Sequence, residues 1–197
     1  MHGHTFDAGP GVVGHGGEFL SRYYDGKLVT FSCYLAHGAD ASTASLGGYW
    51  LTIDTQSWDN KRRSFFKLMI HRDPASGDRS LSVSNNDAKP VKVYGGADLL
   101  AGDNENKFNF DWISLTVGLD ANNGLGGYHS CQVSNRAFDL TGVAGQNAKE
   151  NPQKGGAVDS FAGGLNFGVL VYPGAAGTGD SFVVIDEAVA TVDEVAR

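Results

Sequence analysis

The sequence predicts an all-β chain folded as a jelly-roll sandwich of two antiparallel sheets. Three observations predict it. Short apolar runs alternate with a period of two, most plainly between Lys107 and Leu119. There Ile113, Leu115, Val117 and Leu119 share one face, and Phe108, Phe110, Trp112, Ser114 and Thr116 share the other. Turn-forming residues interrupt such runs at roughly 8–12-residue intervals, the spacing of a sandwich or barrel. Glycine is used 28 times and charged residues make up only 19%, a composition that suits many short strands joined by turns. A chain of 197 residues is enough for one good-sized sandwich and short for two.

In chain order, residues 1–17 carry His2, His4, Asp7, Pro10 and several glycines. They read as an extended arm with little regular structure, ahead of a single domain over 18–197. A short strand is expected over 18–24, then a turn at Asp25-Gly26. A longer strand follows over 28–36, with Val29, Phe31, Cys33 and Leu35 on one side. A small-residue loop leads to a strand over 49–54. The runs 64–71 and 79–84 flank the turn Asp73-Pro-Ala-Ser-Gly-Asp78 and should form a hairpin. Pro90 suits the opening of a strand over 90–94. Residues 95–106 form a loop, with one helical turn expected over 97–101.

The strand ending at Leu119 has neither proline nor an internal charge after Asp111, so it reads as central. After the turn 120–127, a strand over 128–134 should return antiparallel, and 137–140 adds a short one. Residues 141–156 are the longest polar stretch and read as a surface loop. Strands over 164–172 and 181–192 close the chain. The total is ten to twelve strands, with no internal repeat.

The formal net charge is −7 and the isoelectric point about 5.2. This excludes nonspecific nucleic-acid binding, which needs a basic face, and docking on anionic membrane surfaces. No apolar run approaches the ~20 residues that span a bilayer, so no membrane insertion is expected. No signal peptide is visible in this chain. Cys33 and Cys131 both lie in strand-like runs. They read as buried thiols; a disulfide between them requires neighbouring strands.

Three segments resemble the concanavalin A-like lectin/glucanase sandwich, in particular its laminin-G-like branch. Asp25-Gly-Lys-Leu-Val-Thr-Phe-Ser-Cys-Tyr-Leu35 is similar to an early strand carrying T-F-S-x-W, with Tyr34 where tryptophan is usual. Phe110-Asp-Trp-Ile-Ser-Leu-Thr-Val117 is similar to a W-H-H-V strand, with Ile113 and Ser114 replacing the histidines. Asp180-Ser-Phe-Val-Val-Ile-Asp-Glu-Ala-Val189 is similar to a closing Y-x-I-D-D-V strand. The opening D-G-K-x-x-T-F-S-C also resembles accessory domains of bacteriophage tail and virion proteins. The resemblance implies a virion or an extracellular assembly as the setting. It also implies a glycan or a protein surface as partner, other virion subunits or a second copy of the chain among them.

Glycan binding uses exposed aromatic faces with amides and carboxylates nearby. Trp58, flanked by Asp59 and Asn60 in a polar loop, is the first candidate, followed by Tyr94 and Tyr172 beside Gly- or Pro-rich loops. Trp50 and Trp112 are expected in the core. Calcium takes clustered oxygen ligands, and Asp120, Asn122 and Asn123 offer them in one turn; turns also use these residues for their own geometry. Asp98, Asp103, Asn104 and Glu105 form a similar set. Zinc is less favoured: His2 and His4 lie in the arm, and His37, His71 and His129 are scattered.

The enzyme alternative is a polysaccharide-active hydrolase or lyase. A hydrolase needs two facing carboxylates. No E-x-D-x-x-E occurs, and Asp186 and Glu187 are adjacent, so on a regular strand they point to opposite faces. A lyase set can be drawn from Tyr128, His129, Gln132 and Arg136. The leading reading is a non-catalytic glycan- or surface-binding structural domain, plausibly a phage virion or tail accessory protein.

Overall fold

In a computed structural model the chain is a two-layer β-sandwich of jelly-roll type. The structure describes residues 4–7, 13–16, 18–20, 27–39, 48–56, 62–72, 79–96, 99, 111–118, 126–143, 149–150, 164–172 and 181–194. Among these the strands are β1 (His4–Asp7), β2 (Val13–Gly16), β3 (Glu18–Leu20), β4 (Lys27–Ala39), β5 (Gly48–Gln56), β6 (Arg62–Arg72) and β7 (Arg79–Asn85). They continue as β8 (Val91–Gly96), β9 (Asp111–Gly118), β10 (Gly127–Val133), β11 (Arg136–Asp139), β12 (Lys149–Glu150), β13 (Gly164–Tyr172) and β14 (Ser181–Glu194). No helix among the described residues is long and apolar enough to cross a membrane.

One sheet runs β11-β10-β9-β4-β14; the other runs β3-β13-β5-β6-β7-β8, with β12 added alongside β6. All pairings are antiparallel. The chain crosses between sheets from β3 to β4, β4 to β5, β8 to β9, β11 to β12 and β13 to β14. Early and late strands therefore sit side by side in each layer: β4 with β14, and β5 with β13. The strand around Trp112 is central, as its composition predicts, and the hairpin β6–β7 and the return β9–β10 form as expected. The three segments that carry the family resemblance fall in β4, β9 and β14, which are hydrogen-bonded neighbours.

The core follows from alternation. Val29, Val117 and Tyr128 form one inward row across β4, β9 and β10. Phe31, Leu115 and Cys131 form the next, and Cys33, Ile113 and Val133 the third. Opposite them lie Tyr49, Leu51 and Ile53 of β5, Phe66, Leu68 and Ile70 of β6, Leu81 and Val83 of β7, and Phe167 and Val169 of β13. Phe31 and Phe167 meet across the interface at 5.4 Å.

Tyr128 ties the layers together. Its ring stands edge-on to Phe66 at 5.1 Å, and its hydroxyl accepts from the Lys67 N–H (3.0 Å) and donates to the Ser84 carbonyl (2.7 Å). Burial pushes the phenol well above its ordinary range, so it stays protonated and able to donate. Removing the hydroxyl strands two buried backbone groups. Tyr128→Phe should cost about 1–3 kcal/mol in a urea unfolding curve.

Cys33 and Cys131 are buried free thiols. β9 lies between their strands and the two fall in different rows, so their Cα atoms are more than about 9 Å apart, too far for a disulfide. Burial pushes both up to about 12 from an ordinary 9.0. Below the unfolded value both states keep the proton. Above it the unfolded chain releases protons that the fold retains, so stability falls as pH rises towards 12. The wild type should lose stability above roughly pH 9, and a Cys33→Ala/Cys131→Ala variant should lose it less steeply in the same denaturation series.

Three local features differ from expectation. The described residues of the arm are not irregular: β1 pairs antiparallel with β2, His4 with Gly16 and Asp7 with Val13. The polar stretch 141–156 contributes β12. Its Lys149 and Glu150 pair with Arg63 and Arg62, where β7, whose pairing ends at Phe66, no longer accompanies β6. In β14 a bulge breaks the alternation: Asp186 pairs with Tyr34 but Val189 with Ser32, and Glu187 takes φ 48°. Ile185 and Ala190 are an odd number of residues apart, and the extra residue lets both pack on the core. The same bulge corrects the expectation for Asp186 and Glu187, which are both exposed.

Candidate functional site

The outer face of the five-stranded sheet carries three rows that run across the strands. Thr191, Thr30, Thr116, Ser130 and Asp139 form the first, and Val189, Ser32, Ser114, Gln132 and Ala137 the second. The third row is Asp186, Tyr34 and Trp112. Their positions follow from period-two alternation, because the residues that point inward between them on β4, β9 and β10 are mostly apolar, Asp111 being the buried exception. Hydroxyl side chains make up most of the first row, two serines and Gln132 sit with Val189 and Ala137 in the second, and an aromatic pair dominates the third.

The aromatic pair is the distinctive element. Tyr34 and Trp112 sit opposite each other on β4 and β9, with ring centroids 4.8 Å apart and planes at 60°. Tyr34 is 36% exposed and Trp112 half-buried. Such an edge-to-face pair fixes both rings, contributing about 0.5–1.5 kcal/mol beyond area burial. Trp112 is thus not a core residue, as its β-rich context suggested; the core side of its strand is filled by Ile113, Leu115 and Val117.

Polar contacts hold this end of the face. The chain turns from β10 into β11 at Ser134, whose φ is 53°, a left-handed conformation uncommon outside glycine. The Ser134 N–H donates to the Trp112 carbonyl (2.8 Å), and the Gln132 side-chain amide donates to the Ser134 carbonyl (2.8 Å). The Ser134 hydroxyl donates to the buried Asp111 carboxylate. Thr30 and Thr116 share a hydroxyl hydrogen bond at 2.8 Å. At the far side, the Thr141 hydroxyl and backbone N–H donate to Asp139 (2.7 and 2.8 Å) and hold its carboxyl below the ordinary carboxylate range.

Of the residues singled out in the sequence, Trp58, Asp59 and Asn60 lie outside the described residues, as do Asp120, Asn122 and Asn123. So do the second oxygen set and the side chain of Tyr172, whose backbone pairs with Gly48. Tyr94 is half-buried at the seam between the sheets. Arg136 lies over its ring at 5.0 Å and donates to its hydroxyl at 3.0 Å, and Phe138 packs at 5.6 Å. Trp50 faces outward on the other sheet, with the Lys67 ammonium 5.2 Å above its ring. Among the described residues no three His, Cys, Asp or Glu side chains are grouped to hold a metal ion.

The lyase set is divided. Tyr128 points into the core with its hydroxyl engaged, Gln132 faces outward and Arg136 lies on Tyr94. His129 occupies the bulge where β10 shifts register against β9, and is exposed. The pair that the structure brings together, Tyr34 with Trp112, was legible as strand alternation but not as a site, because nothing local in the sequence aligns β4 with β9.

No family model matches the chain, and no curated protein does. Among solved structures it is similar to an alginate lyase from Pseudomonas aeruginosa, at 9% identity and a TM-score of 0.44, over 86% of this chain and 66% of that one. It is also similar to the CBM2 module of the evolved Dit of Lactobacillus casei BL23 phage J-1, at 9% identity and a TM-score of 0.45, over 94% and 71% of the two chains.

Proposed function

We propose that this chain is a non-catalytic glycan-binding domain whose binding surface is the outer face of the five-stranded sheet. The observation that carries the reading is the outward-facing Tyr34–Trp112 pair, Tyr34 exposed and Trp112 half-buried, beside rows of serine, threonine and glutamine. A sugar ring offers apolar C–H faces to an aromatic platform and hydroxyls to polar neighbours, and this face supplies both within one row spacing. A rigid β-sheet presents those groups at little ordering cost on binding. The division of Tyr128, Gln132 and Arg136 among three environments supports the non-catalytic part of the reading.

We further propose membership of the laminin-G-like branch of the concanavalin A-like sandwiches, on the three motif segments in β4, β9 and β14. A virion or tail accessory protein is the setting that the D-G-K-x-x-T-F-S-C opening favours. Calcium at Asp120, Asn122 and Asn123, and a further glycan contact at Trp58, Asp59 and Asn60, belong to the same proposal. A glycan array on the whole chain, with calcium and with a chelator, tests it. Saturable binding without release of reducing ends is expected. Turnover of a bound polysaccharide would overturn the non-catalytic reading, and loss of binding in chelator would assign calcium a role.

A further inference from the structure

We infer that the face built on Tyr34 and Trp112 selects uncharged glycans and rejects polyanionic ones such as polyuronates. The inference rests on the glycan-binding reading and adds the chemical class of the ligand. It is carried by the kind of polar group that each outward position supplies. Among the described residues, the outward positions of β4, β9, β10, β11 and β14 hold three carboxylates, Asp139, Asp186 and Asp193, and neither lysine nor arginine. All three are exposed, at both flanks of the sheet: Asp139 on the β11 side, Asp186 and Asp193 on β14. Asp186 stands in the same row as the aromatic pair, directly across from Tyr34.

The neutral groups suit an uncharged ligand. One Gln132 amide N–H donates to the Ser134 carbonyl, which leaves its amide oxygen and a second N–H for a ligand. The Ser32 hydroxyl donates to the Val189 carbonyl at 3.5 Å. The face therefore offers neutral hydroxyl and amide groups, which pair with sugar hydroxyls in either direction. A sugar carboxylate or sulfate is acceptor-only; it would find no cation and would lie near like charges. Asp186 is one strand spacing, about 5 Å, from Tyr34, inside the roughly 8 Å that Debye screening allows at physiological salt. An anion seated on the aromatic pair therefore still feels Asp186. The net charge of −7 adds a repulsive background. The rejection is thus built from repulsion as well as from the lack of a cation at the outward positions.

The test is a titration of the full chain with length-matched glucan, galactan and polygalacturonate oligosaccharides at low and high salt, followed by calorimetry. A neutral series should bind at least about tenfold more tightly than polygalacturonate at low salt, and the gap should narrow at high salt. Asp186→Lys should raise polygalacturonate binding by about tenfold, and the milder Asp186→Asn should act in the same direction if the first variant folds poorly. Polygalacturonate binding as tightly as the neutral series would overturn the inference while leaving glycan binding intact. Failure of every glycan to bind would overturn the glycan-binding reading itself, and this inference with it.

Discussion

Leu115→Ala should destabilise the fold by about 2–5 kcal/mol, the largest stability effect expected of any single truncation in β9. Leu115 is fully buried, lies on the middle strand of its sheet and is flanked in register by Phe31 and Cys131. Phe31 in turn meets Phe167 of the opposite layer. The cavity would thus be bounded by strands that cannot collapse without breaking ladder hydrogen bonds. The neighbouring Thr116 gives the internal control. It faces outward and contributes one hydroxyl hydrogen bond to Thr30, so Thr116→Ala should cost only about 0.5–1.5 kcal/mol. Urea midpoints measured on the two variants check both values. Equal losses would contradict the assignment of the two faces.

Trp112→Ala should weaken glycan binding at least about thirtyfold, the effect of losing an aromatic anchor of about 2 kcal/mol or more. Tyr34→Ala should weaken it in the same direction, and the double variant should lose less than the sum, because the rings support each other at 4.8 Å. The fold should survive these changes, since both rings lie outside the core between the layers. Calorimetric titration with the best-binding oligosaccharide, paired with a thermal melt, separates lost binding from lost folding.

The sheet layout was largely legible in the sequence. Alternation set Ile113, Leu115 and Val117 together on one face, and the turn chemistry of Asp73–Asp78 announced the β6–β7 hairpin. Alternation distinguishes two faces but does not say which is covered. That is why Trp112, on the aromatic side of a hydrophobic strand, reads as core until the strand pairing shows the opposite layer packing against its other side. The partner ring comes from β4, and only the antiparallel register between β4 and β9 sets Tyr34 beside it. The bulge at Asp186 is similarly non-local. It arises from the need to keep both Ile185 and Ala190 on the core, and an adjacent pair of acids gives no hint of it. The separation of Cys33 from Cys131 likewise depends on which strand lies between them.

The central claim is that ligand lands on Trp112. Tryptophan emission followed during glycan titration tests it most directly, because the chain has only three tryptophans. In the wild type, ligand should shift or quench the emission. That change should persist in Trp58→Phe and Trp50→Phe and disappear in Trp112→Phe. A ligand-induced change that survives Trp112→Phe and vanishes in Trp58→Phe would contradict the account and move the binding surface to the loop around Asp59 and Asn60.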